Sequence, residues 1–163
     1  MKPLLRVIAA IILSFGILPV FAADPPRYFE KLSTYPDFNY NYISPTMLRL
    51  MGDQALSASG GESFNNYPIK CSDLTFIENL STDYDSQNDE IWEIISKLKK
   101  DKKMETLITR KGDNSRYDLL VTMTGNHKWI RSMLVITQHG PTAVDIIYME
   151  GNIPMEAIQN TFY

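Results

Sequence analysis

The chain has 163 residues (18.7 kDa), 44% apolar and 21% charged. That balance excludes a disordered or collagen-like chain and suits one compact domain with one core. The formal charge of −3 falls further if Lys2 and Arg6 are removed, which excludes wholesale binding to nucleic acid, because a phosphate backbone demands a basic face.

The first 22 residues open with Lys2 and Arg6, continue through an apolar run from Val7 to Val20 and end in Phe21-Ala22. This is the pattern of a secretory signal peptide. Small residues at Val20 and Ala22 predict cleavage after Ala22, with Ala23 as the near alternative, leaving 23–163 as a single domain. Read instead as a membrane anchor, the run is broken by Gly16 and Pro19 and falls short of the ~20 apolar residues of a span. With no cysteine near the cleavage site to carry a lipid, the expected product is free in the periplasm or secreted, without stable membrane insertion. Cys71 is the only cysteine, so it cannot staple its own chain. An intermolecular disulfide and a nucleophile are both open to it. The plainer reading is a small buried side chain at a strand entrance, because only Lys70 is near enough to lower its pKa.

After a Pro-containing leader, Phe38-Asn-Tyr-Asn-Tyr-Ile43 alternates with period two and predicts a strand. Ser44-Pro45 then offers an N-cap and a first-turn proline for a helix carrying Met47, Leu48 and Met51, stopped by Gly52. Residues 52–70 show neither period and form the longest irregular connection. A second strand is predicted over 74–80. A helix follows with an apolar stripe of Ile91, Ile94, Ile95 and Leu98, acids in its first turn and a basic run of five lysines from Lys97 to Lys103 that reads as its solvated end. From Met104 the period returns to two, predicting strands 104–110, 116–124, 129–138 and 143–150 joined by short turns, then a last helix involving Ile153, Pro154, Ala157, Ile158 and Phe162. The expected fold is α+β in the order β-α-β-α-β-β-β-β-α, a mostly antiparallel sheet with helices mainly on one face. Strands 129–138 and 143–150 are apolar on both sides, Met133 and Val135 opposing Leu134 and Ile136. The second face therefore needs cover from the leader, the long connection or another chain.

The residues of chemistry are sparse. His127 and His139 bracket one strand, ~35–40 Å apart at 3.3 Å per residue, so they cannot share a metal or a proton within one subunit. No Gly-x-Ser-x-Gly elbow is present, and Gly60-Gly61-Glu62 lacks the lysine and hydroxyl of a phosphate loop. The acidic run from Asp83 to Glu90 fails as a calcium loop, with Asn88 at the sixth position and Ile94 at the twelfth. A paired-carboxylate hydrolase stays open, since sequence does not reveal a cleft. Phe38, Tyr40 and Tyr42, with Trp129, offer a stacking surface for sugars, although packed sheet is the commoner role.

Three segments, Tyr42-Ile-Ser-Pro-Thr-Met-Leu-Arg-Leu-Met51, Ile130-Arg-Ser-Met-Leu-Val-Ile136 and Met149-Glu-Gly-Asn-Ile-Pro-Met-Glu-Ala-Ile158, resemble the blocks of a bacteroidete family of exported proteins, domain of unknown function 4252. The resemblance spans roughly residues 29–162. It implies a protein of the Gram-negative envelope, with a hint of surface regulation from neighbouring extracytoplasmic sigma factors. It supplies no activity and no binding residue, and this chain lacks the cysteine of lipidated members. The expectation is a non-enzymatic protein-interaction or accessory module with no cofactor and no metal, engaging an unknown protein partner or its own copy. Tyr40, Tyr42, Trp129, Met133 and Val135 are its candidate surface. The alternative is a periplasmic carbohydrate-binding or carboxylate-dependent hydrolase domain.

Overall fold

The computed structural model describes residues 24–52, 54, 69–86 and 88–159. Among the described residues, two short helices and one long one are set among six strands. These are β1 (Asn39–Ile43), α1 (Pro45–Met51), β2 (Leu74–Thr82), α2 (Asp89–Asp101), β3 (Glu105–Lys111), β4 (Ser115–Met123), β5 (Trp129–His139), β6 (Ala143–Pro154) and α3 (Glu156–Gln159). Single 3-10 turns at Glu30–Thr34 and Cys71–Asp73 precede β1 and β2. The strands form one open sheet in the order β1-β2-β6-β5-β4-β3, every neighbouring pair antiparallel. The fold is α+β in the element order expected from the sequence.

Local chemistry sets the boundaries. The Ser44 hydroxyl accepts the Met47 N–H at 3.2 Å, Pro45 occupies the first turn of α1, and Gly52 at φ +56° closes it. In α2 the Asn88 side chain accepts the Glu90 N–H at 2.9 Å. At the other end the Met104 N–H returns to the Lys99 carbonyl, with Lys103 in the left-handed region at φ 51°. One glycine is demanded by contact: a Cβ on Gly151 would lie 2.1 Å from the Asp73 carbonyl oxygen, where the turn before β2 crosses β6.

Both sheet faces are apolar and both are covered. On the front, Phe76, Leu80, Leu120, Leu134, Ile146 and Tyr148 pack beneath Ile91, Ile95 and Leu98 of α2 and beneath Phe29 and Leu32 of the leader. On the back, Ile77, Val121, Met133, Val135, Ile147 and Met149 meet Leu48 of α1, Ile69 and Cys71, and Ala157 and Ile158 of α3. The longest helix thus lies on the front and the two short ones on the back. The two-sided strands find their cover within the chain, from the leader, the end of the long connection and the short helices.

Two expectations change. Ile153 and Pro154, assigned to the last helix, instead end β6, where they pair with Ile130 and Trp129; the helix begins at Glu156. Proline is tolerated there because it occupies the strand terminus. Lys102, read as part of a solvated basic run, reaches back to the sheet at Glu150 (2.6 Å). The signal segment 1–22, most of the 52–70 connection and Phe162 lie outside the described residues.

Candidate functional site

Alternation along β2 places Phe76, Glu78 and Leu80 on one face, so a carboxylate enters the front core between two apolar side chains. Glu78 is fully buried. A buried carboxylate is tolerated only when its oxygens are satisfied. Here the Tyr40 hydroxyl donates to Oε1 at 2.8 Å, and the Tyr28 backbone N–H donates to Oε2 at 3.0 Å. The Phe29 main chain also favours the charged carboxylate. Burial pushes the Glu78 carboxyl above its ordinary range, and these donors pull it only part of the way back.

Register brings further groups to the same place. Glu78 lies between Tyr42 on β1 and Tyr148 on β6, and Glu150 stands two residues beyond Tyr148, opposite Phe76 and Ser132. Tyr148 donates its hydroxyl to Glu150, which also receives Lys102. Burial first, then that carboxylate, raises the Tyr148 hydroxyl. Burial acts to lower Lys102, but hydrogen bonds to Glu150 and Tyr28 outweigh it and leave the ammonium raised. The leader sits on this array: Tyr28 packs edge-on against Tyr148 with ring centroids 5.2 Å apart, and the Arg27 guanidinium lies 4.5 Å from the Tyr42 ring centroid. The site is a front-face cluster of two carboxylates, an ammonium and four tyrosines, closed by residues 27–32.

Of the sequence-predicted surface, only Tyr40 and Tyr42 belong to this cluster, and both are partly buried beneath the leader. Met133 and Val135 are not surface residues: at 0% and 2% exposure they lie in the back core, because the short helices and the Ile69–Cys71 segment cover them. Trp129 is 38% exposed but pairs with Pro154, six positions along β6 from Tyr148, or ~20 Å at 3.3 Å per residue, so it shares no platform with the tyrosines. His127 lies in the turn before β5, and His139 at its far end sits 3.6 Å from Asp145. Asp85 holds the side chain of the cap residue Asn88 at 2.9 Å, which gives the acidic run a structural use. Among the described residues no group of three or more His, Cys, Asp or Glu is arranged to hold a metal ion. Cys71 is 4% exposed, at the entrance to β2.

Sequence reasoning missed Glu78, Glu150, Lys102, Tyr28 and Tyr148. One signal was available: a glutamate with the parity of Phe76 and Leu80 points inward. The convergence of β2, β6 and the leader is not local and leaves no periodic trace.

A separate open pocket of about 640 Å³ on the back is bordered by Leu48 and Arg49 of α1 and by Lys70, Cys71 and Leu74. The described residues lining it include two cations and no carboxylate. On the side of α1 away from this pocket, Met47 (44% exposed) and Leu50 (76%) face solvent. Among the described residues no helix is long and apolar enough to cross a membrane. No curated protein and no solved structure matches the chain. The model of one family, described as a domain of unknown function (DUF4252), matches residues 32–161, and the chain belongs to that family.

Proposed function

We propose that this is an exported envelope protein that acts by contact with another protein, as an accessory module without chemistry of its own. The observation that carries this reading is on α1. Leu48 is already packed into the back core, yet Met47 and Leu50, neighbours at i and i+3, face water from the opposite side of α1. Adjacent large apolar side chains left in water are the feature of this surface that contact with another protein would bury. At the front cluster, Glu78 has both oxygens engaged by the chain's own donors, the arrangement of an anchor. A photo-crosslinker at position 47 in the full chain should give a discrete adduct in intact cells, lost on Leu50→Glu with thermal unfolding unchanged. An absent adduct overturns the reading. Export predicts a recovered protein whose first residue is Ala23, and retention of the signal segment overturns that part.

The second reading, a carbohydrate-binding or carboxylate-dependent hydrolase domain, is favoured by Glu78 and Glu150 sharing the front face with Tyr40 and Tyr148. It requires binding or turnover of oligosaccharides by the purified protein and loss of either on Glu150→Gln. Heat-free titration with a panel of oligosaccharides and no hydrolysis overturns it.

A further inference from the structure

The sheet has two ends. At the β1 end the leader packs over Tyr40 and Tyr42. At the other, β3 has β4 as its one neighbour in the sheet, and six of its seven residues are exposed, Ile108 being the exception. Its outer row of backbone donors and acceptors is the kind of template on which another strand pairs.

What such a strand must look like is written in β3 itself. Pairing with β4 puts Glu105 opposite Val121, Ile108 opposite Leu119 and Arg110 opposite Tyr117, all on the back face. Thr106 opposes Leu120 and Thr109 opposes Asp118, on the front. Between them a bulge inserts one extra residue, Leu107. Alternation from Thr106 returns Leu107 to the back, so that Leu107 and Ile108 share a face. The order of faces from Glu105 to Arg110 is therefore back, front, back, back, front, back, which reads the same in either direction. In an unbulged six-residue strand the first and last residues face opposite ways and cannot meet their antiparallel counterparts.

We propose that β3 pairs antiparallel with β3 of a second copy of this chain, about a two-fold axis between Leu107 and Ile108. Glu105 then faces Arg110 of the other copy, Thr106 faces Thr109, and Leu107 faces Ile108, each contact occurring twice. Charge, hydroxyl and apolar groups are complementary at every position, and each pair falls on one face of a continuous twelve-stranded sheet. Cross-strand partners of these three kinds are those that stabilise neighbouring strands. A bulge commonly protects an edge; here it sets the parity that this register needs. One edge strand buries less than the ~1,200 Å² of a standard interface, so the dimer is weak and reversible, and salt weakens it further by screening the Glu105–Arg110 contacts.

Concentration-dependent sedimentation of the mature protein tests this. The wild-type chain should show a monomer–dimer equilibrium. Glu105→Arg and Arg110→Glu should each weaken it by at least about fivefold, because two attractive pairs become repulsive. The double variant E105R/R110E should restore association to within about twofold of wild type, a rescue that misfolding does not produce. A sedimentation coefficient independent of concentration, or a dimer indifferent to both reversals, overturns the proposal. It rests on the contact-protein reading above and names a second copy as a partner. A β3-independent monomer that still forms the Leu50-dependent adduct overturns the pairing alone and leaves that reading standing.

Discussion

Two residues carry an unusual share of the architecture. Glu78 joins the leader to the sheet, and its carboxyl is raised chiefly by burial. A carboxyl raised in the folded state binds its proton more tightly there than in the unfolded chain. Its contribution is therefore fully present below the unfolded value near 4.5 and lost as pH rises through the higher folded value. Wild-type unfolding free energy should fall across that window relative to Glu78→Gln, whose difference curve removes the same-signed contribution of Asp145. A flat difference means that the carboxylate does not titrate in the fold. Gly151 illustrates the opposite constraint, that of space alone. Gly151→Ala drives a methyl into the Asp73 backbone, which cannot rotate away, and should cost about 1–3 kcal/mol or more in urea unfolding. A neutral outcome means that the turn before β2 yields. Neither role was fully legible from sequence: the inward parity of Glu78 was visible, but its donors Tyr28 and Tyr40 lie fifty and thirty-eight residues earlier in the chain.

At the level of elements, the short-range signals served well. First-turn acids, the lysines near its end and the apolar stripe predict α2, and the helix runs from Asp89 to Asp101 with Ile91, Ile95 and Leu98 buried. Ile95→Ala should cost about 2–5 kcal/mol of unfolding free energy, the range for emptying a packed aliphatic site. A loss below about 0.5 kcal/mol would place the stripe at the surface. Period-two patterning found all six strands because each alternates or is apolar on both faces. It stopped β6 too early, since Gly151 and Pro154 look like punctuation although one permits a close crossing and the other ends the strand. The bulge in β3 was invisible for a related reason: an inserted residue leaves composition unchanged and only shifts parity against a neighbour.

For the molecule as a whole, the decisive feature is a sheet greasy on both sides and clothed by its own chain. The two-sided pattern of β5 and β6 was readable, and so was the need for cover, but which segment goes to which face was not. The leader lacks any period, and its role emerges only where Phe29 and Leu32 meet α2 and the sheet. Phe29→Ala should therefore destabilise by about 3–5 kcal/mol, as loss of a core aromatic does, although the residue lies outside every regular element. A loss near zero would mean that the leader only rests on the surface. The strand order has a kinetic corollary. β3 through β6 can zip together from successive hairpins, whereas β2 must wait for β6, the most C-terminal of the described strands, before its second edge is occupied. Until the C-terminal ribbon arrives, the N-terminal third has no permanent home. Such late, distant closure slows folding and leaves a long interval in which a chaperone would find its grip.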